Sequence, residues 1–485
     1  MVFIDGTVVN VALPALQNSL GASFTDIQWV VQSYALLLAA LLIVGGAAGD
    51  RFGRRRVFAI GTGVFAIASL CCGLAGSVQT LIAARALQGV GGALLVPGSL
   101  ALITASFAED DRGRAIGLWS GPTAMTAALG PVLGGWLLDH FSWRAAFFIN
   151  LPLAAIVLPL TFMHVPESRN ADTRDPIDWL GAALVTVGLC ALVFGLTGLQ
   201  NNDRHDPMAW GALAGGVVAL GAFVAVERGR AAPMLPLEVF RSSTFSGANL
   251  LTVCLYAALG GGLFFLPLNL VQLQGYSMTA AGAALLPFIL LMFVLSPWAG
   301  GLNKRYGARA PLVAGPLVAA AGFALFAAPW AGSGYWTGVF PAVLVLGLGM
   351  SIAVAPLTAT VMNSVPAAHS GLASAINNTA SRVGALLSLA LFGIVMSLSF
   401  NSRLENELAQ RHLSAPARHA LQAQRDKLAA IRLPEQVAPR EADAARQAIG
   451  QAFLSGYRRV MLLSALLAAV AALCAWAFIP KPAKP

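Results

Sequence analysis

Two ionisable residues sit inside apolar runs, where charge is costly. Asp5 lies in Phe3-Ile4-Asp5-Gly6-Thr7-Val8-Val9-Asn10, and Arg85 lies in Leu81-Ile82-Ala83-Ala84-Arg85-Ala86-Leu87-Gln88-Gly89. A charge held in hydrocarbon costs several kcal/mol unless it is paired. Burial favours the neutral form of a carboxyl, and a neighbouring cation favours the ionised form. Those opposed effects suit a carboxyl that takes up and releases a proton. A guanidinium keeps its proton and must find an acceptor. Asp5 is therefore the natural partner of Arg85 across a helical bundle. The plainer alternatives are an interfacial carboxylate at a helix end and an arginine snorkelling to the headgroups.

Two further clusters suit mechanical roles. Gly49-Asp50-Arg51-Phe52-Gly53-Arg54-Arg55 reads as a tight charged turn, with Gly53 permitting the bend. Such a cluster can latch two conformations, or it can simply anchor the chain to the cytoplasmic surface. Gly121, Gly130, Pro131, Gly134 and Gly135 share one apolar run. Proline removes a backbone hydrogen bond and glycine permits close helix approach, so this run reads as a kinked, tightly packed helix. Trp29, Tyr34, Gln88, Asn377, Asn378 and Arg382 are candidates for a substrate-binding wall, since aromatic and amide groups suit amphiphilic ligands. No phosphate-binding loop, nucleophile framework or metal-ligand spacing is present, and no cofactor or metal is expected. Cys71, Cys72, Cys190, Cys254 and Cys474 fall inside apolar runs and read as buried thiols.

The elements that must position these residues follow from composition. Of 485 residues, 57% are hydrophobic and 11% charged. Soluble domains carry about 25% charged residues. The apolar runs match the ~30 Å hydrocarbon core of a bilayer and are too continuous for barrel strands. The fold class is an all-α polytopic membrane protein. We count fourteen spans, at about 1–20, 27–49, 57–76, 80–105, 114–138, 145–164, 177–199, 209–227, 247–272, 279–301, 310–330, 336–362, 373–400 and 457–479. The stretch 227–247 reads as an interfacial helix, and 401–456 as a polar loop with helical periodicity near Ala417 to Ile431.

Basic residues gather in alternate loops: Arg51 to Arg56, Arg112 and Arg114, Arg169 and Arg174, Arg228 to Arg241, Lys304 to Arg309, and Lys481 with Lys484. The short loops between them hold only Arg144 and Arg204. The positive-inside rule places the first set, and both termini, in the cytoplasm. The net charge of +9 is thus spread over loops, and no nucleic-acid surface is implied. Arg51-Phe52-Gly53-Arg54-Arg55 and Arg305-Tyr306-Gly307-Ala308-Arg309 form a faint internal repeat. Residues 1–164 then read as one six-helix bundle, 165–246 as two inserted helices with a linker, and 247–485 as a second bundle carrying the outer loop 401–456. The first twenty residues lack a basic leader and read poorly as a signal peptide, so the true start is expected upstream.

At these residues the chain resembles the major facilitator superfamily, and more narrowly its fourteen-span drug:proton antiporters of the EmrB/QacA type. Asp5-Gly6-Thr7-Val8-Val9-Asn10-Val11-Ala12-Leu13-Pro14 is similar to that group's first-helix motif. Gly49 to Arg55 is similar to the superfamily's loop motif, Arg85 with Gln88 and Gly89 to the fourth-helix motif linked with proton coupling, and Gly121 to Gly135 to the antiporter motif. The resemblance implies two six-helix bundles plus two inserted helices. It further implies proton-driven export of lipophilic or amphiphilic compounds from a bacterial inner membrane. The stretch 401–456 is a candidate dock for a periplasmic adaptor protein, with a solvated spacer as the alternative. Thr126 replaces the motif's middle glycine, and Lys304 stands where Asp50 stands in the first half. No acid lies in the late spans, which weighs against multi-proton coupling and strongly cationic cargo. A metabolite exporter for a siderophore, amino acid or sugar, and a sensor or scaffold that moves nothing, remain as alternatives.

Overall fold

The structure is a computed structural model. It describes the chain except residues 107–128, 170–177, 200–205, 231–232, 234, 236, 329–333, 366–369, 412, 434–438 and 482–485. Gly121 and Thr126 lie outside the described residues.

The apolar runs form helices because apolar and small residues dominate them, and Ser23, Asp178, Asp206, Ser242 and Ser277 cap the N-termini of five of them. We label α1 Val2–Leu20, α2 Phe24–Phe52, α3 Arg54–Leu74, α4 Val78–Ser106, α5 129–140 and α6 Ala145–His164. The inserted helices are α7 Trp179–Gly198 and α8 Pro207–Gly229. Then follow α9 Ser243–Leu273, α10 Met278–Gly300, α11 Arg309–Ala327, α12 Tyr335–Asn363, α13 Ser370–Gln410, α14 Ala415–Ala423 and α15 Pro439–Phe478. The first turn is defined by chemistry at both ends. Gly21 ends α1 at φ +61°, and Ser23 with Asp26 forms a reciprocal capping box that starts α2.

Twelve described helices are long and apolar enough to cross a membrane. Their outer faces confirm the solvent they need: Val217 and Val218 of α8 are 64% and 70% exposed. In water such a surface would drive aggregation; in lipid it needs no partner. Helix α1 and the described part of α5 stand beside those twelve. The helices sort into two packed groups. In one, α2 packs on α3 and α4. In the other, α9, α13 and α15 pack on one another, and α11 packs on α12 and α15. Helices α7 and α8 pack together, and α7 lies against α2 and α13. Gly53 at φ +107° and Gly307 at φ +73° make matching turns in the two groups, which supports the sequence repeat.

The stretch expected as a polar loop is largely helical. Helix α13 runs on to Gln410, α15 begins at Pro439, and α14 lies between them. The reason is an amphipathic seam: Leu404 and Leu408 are buried in one cluster with Ala445, Ala448, Ile449 and Phe453. The described residues of 401–456 thus form a folded cap continuous with two membrane helices.

Candidate functional site

Helices α1, α4 and α6 bring one buried charge pair together. Asp5 and Arg85 are 0% and 1% exposed. Arg85 Nη1 donates to Asp5 Oδ2 at 2.6 Å. Gln88 Nε2 donates to Asp5 Oδ1 at 2.8 Å, and Asn150 Nδ2 to the same oxygen at 3.1 Å. Gln88 also donates to Ser69 Oγ at 2.8 Å and accepts from Arg85 Nη1 at 2.6 Å. Arg85 Nε donates to the Val30 carbonyl at 3.1 Å. The guanidinium lies 4.1 Å from the Tyr34 ring centroid. A buried ion pair repays its desolvation only when its remaining hydrogen-bond sites are filled. Three helices supply those partners here. Gln88 was expected on an open wall, and the structure places it inside this network.

The loop Asp50–Arg56 is organised by neighbours from its own group. Arg54 pairs with Asp50 at 2.7 Å, one helical turn away. The Arg55 amide donates to Glu167 Oε1 at 3.0 Å, and Arg54 N to the Ser168 carbonyl at 2.9 Å. Arg56 Nε stands 3.6 Å from Glu167. A Cβ at Gly53 would stand 2.7 Å from Glu167 Oε1, so only glycine fits both the turn and the carboxylate. Gly49 packs against Arg54, and Arg51 stacks on Phe52 at 5.8 Å. These contacts tie the loop to the end of α6 within its own group.

The glycines of α5 serve two interfaces. Gly130 and Gly134 face Thr7 and Val8 of α1. On the other side, an added Cβ at Gly135 would collide with the Met278 carbonyl, and one at Gly282 with that of Pro131. Helices α5 and α10 therefore approach backbone to backbone. Asp139 closes this seam by accepting from Met278 N at 3.1 Å, Thr279 N at 2.9 Å and Thr279 Oγ1 at 2.5 Å. Other contacts between the groups gather at the same end. Gln272 Nε2 donates to Gln17 Oε1 at 2.9 Å, Gln28 Nε2 donates to the Leu389 carbonyl at 2.9 Å, and Phe24 lies 5.5 Å from the Phe265 ring.

The remaining candidates are dispersed. Trp29 packs on Phe194 of α7 at 6.4 Å. Asn377 donates to Asn249 at 3.2 Å and Thr252 at 2.7 Å, both on α9. Asn378 bonds back to the Ser374 carbonyl at 3.0 Å. Arg382 lies on the part of α13 that faces α2. Sequence reasoning missed Asn150, Glu167 and Asp139. Asn150 had a signal: it is the sole amide in the apolar run 145–164.

This geometry defines a multi-pass helical membrane protein of two facing bundles. The sequence pattern of the Major Facilitator Superfamily matches residues 1–389, and the chain belongs to that superfamily of transporters. It is 33% identical to the tetracenomycin C resistance and export protein of Streptomyces glaucescens, over 97% of this chain and 88% of that one. It is 33% identical to the multidrug resistance protein Stp of Mycobacterium tuberculosis, over 99% of this chain and 90% of the relative. Its fold matches an inward-facing, unoccupied bacterial homologue of the human lysosomal transporter Spinster, with TM-score 0.67 and 17% identity over 99% of this chain and 96% of that one.

Proposed function

We propose that the protein is a proton-coupled antiporter that exports lipophilic or amphiphilic small molecules across a bacterial inner membrane. Its two moving units are residues 1–164 and 247–485, with 165–246 as the inserted pair. Counting α1 and α5 with the twelve helices above gives the fourteen-span form. By the positive-inside rule the Arg51 and Arg305 loops and both termini face the cytoplasm. The joined end at Gln17, Gln28 and Asp139 is then the outer face, and the site opens inward. The names of the two relatives, for drug resistance and export, support the direction and the cargo class.

One observation carries the reading: the fully buried Asp5 carboxylate accepts from three side chains on two other helices. All three partners are donors. A proton on Asp5 turns one acceptor oxygen into a donor that faces another donor. The cluster must then rearrange, and breaking one partner from a buried pair costs about 3–5 kcal/mol. Proton uptake thereby becomes a change in how α1 sits against α4 and α6. Loss of the proton restores the pair. Substrate and proton occupy the protein in alternation, so an exit is coupled to an entry. The test is exchange in proteoliposomes. Asp5→Asn abolishes pH-gradient-driven substrate exchange and substrate-driven proton flux while ligand binding in detergent persists. Flux equal to that of the parent protein sinks the proposal.

A further inference from the structure

Facing stripes on α2 and α13 hold polar atoms that nothing satisfies. On α2, Gln28, Gln32 and Leu36 recur at helical spacing. On α13, Thr379, Arg382, Leu386 and Leu389 do the same. The bond from Gln28 to the Leu389 carbonyl sets the register, and Leu36 shares an apolar cluster with Leu386. The two helices run antiparallel, so Arg382 lies near the level of Tyr34 to Leu36. Both amide atoms of Gln32, Ser33 Oγ, Thr379 Oγ1 and Arg382 Nε are buried without a hydrogen-bond partner. The Tyr34 hydroxyl is likewise unpartnered and lies within electrostatic reach of Arg382.

The charge at Arg382 has no counterpart among the described residues. No Asp or Glu occurs between Glu238 and Glu405. Asp5 is already committed to Arg85, Gln88 and Asn150. An arginine cannot shed its proton, and Arg382 is half-buried with its Nε shut away from any acceptor, so its uncompensated charge is costly. Native proteins leave few such groups unsatisfied, and each calls for an explanation, a bound group among them. No carboxylate pairs with Arg382 among the described residues, so nothing here would favour a cation.

We propose that Arg382, with Thr379 and Gln32, forms an anion subsite, and that the exported compounds carry a carboxylate or phenolate on an apolar body. The acid group pairs with the guanidinium. The Gln32 amide and Thr379 hydroxyl complete its hydrogen bonds. Leu36, Leu386 and Trp29 cover the apolar part. The inference rests on the export reading and names its substrate class.

The experiment uses three fluorescent probes in proteoliposomes under an imposed pH gradient: a coumarin carboxylate, its uncharged carboxamide, and ethidium. The carboxylate is expected to exchange fastest. In Arg382→Gln the ratio of carboxylate to carboxamide exchange falls about tenfold to a hundredfold, the loss of a charge-assisted hydrogen bond. Arg382→Lys recovers part of it. Equal exchange of carboxylate and carboxamide by the parent protein, or an unchanged ratio in Arg382→Gln, overturns the subsite. If the variants do not fold, thermal melting of the parent protein in detergent decides: stabilisation by the carboxylate alone supports the subsite, and equal stabilisation by both probes overturns it. If the gradient drives none of the three probes, the export reading fails, and the same melting comparison still judges the subsite.

Discussion

Asp5 shows why the identity of each donor around a buried carboxylate matters. Arg85 supplies charge, and Gln88 ties the pair to Ser69 on α3. Asn150 contributes one bond from α6 to Asp5 Oδ1. Its own Oδ1 is buried without a partner, so the amide is held for its donor alone. Asn150→Ala removes that donor and should cost about 1–3 kcal/mol. Asn150→Asp sets a second carboxyl against Asp5 and should destabilise further, since like charges in one site repel. Thermal melting in detergent checks the order: parent, then Asn150→Ala, then Asn150→Asp. If Asn150→Asp melts with or above the parent, the assignment of Asn150 as a donor to an ionised Asp5 is wrong. Asp5 and Arg85 were legible in the sequence because ionised groups in apolar runs must pair. Asn150 was not, because an uncharged amide can stand in a membrane helix at modest cost.

The seam between α5 and α10 is the place where an element, rather than a residue, sets the state. Glycines let the backbones meet, and Asp139 caps the start of α10 across the gap. Partial burial pushes the Asp139 carboxyl up, but bonds from Thr279 and Met278, with His140 beside it, hold it below its ordinary value. The sign follows from linkage. A carboxyl whose affinity for protons is depressed in the joined state stabilises that state above its free pKa of about 4. The stabilisation is lost as pH falls through the depressed value. Spin-label distances between the ends of α5 and α10 should therefore stay short from neutral pH down to about pH 4 and lengthen below it. Asp139→Asn should lengthen them at neutral pH and remove the acid dependence. A neutral-pH distance unchanged by Asp139→Asn would show that glycine packing alone closes the seam. The role of Gly130 to Gly135 in close packing was readable from spacing. The partner helix was not, since no local pattern tells α5 which helix of the other group it meets.

At the scale of the whole molecule, the sequence disclosed the bundle and its periodic charge, and it disguised the cap. Residues 401–456 have a polar composition, which reads as a loop. Their apolar side chains are spaced for helix packing, and α13 and α15 carry that packing out of the membrane. The charged loop at Arg51 was placed by its composition, yet its partner Glu167 lies beyond α6, where sequence distance conceals proximity. The cap belongs to the second group and grips the first. Gln17 Nε2 donates to the Lys427 carbonyl at 3.1 Å, and Arg432 Nη2 to the Asn18 carbonyl at 3.0 Å. Leu428 holds φ +54°, a conformation unfavourable for a branched side chain, and its side chain is buried in the core. In the alternating-access cycle we propose, the two groups part at this end, and the cap then has to release α1. Asn18→Cys with Arg432→Cys, in a background whose native cysteines are serine, gives a pair that a short, flexible, reducible bis-thiol reagent can bridge. Bridging should arrest substrate exchange in proteoliposomes, and reduction should restore it. Each single-cysteine variant treated alike should keep its exchange. If the bridged protein transports at the parent rate, the cap rides with the first group and the two halves part elsewhere.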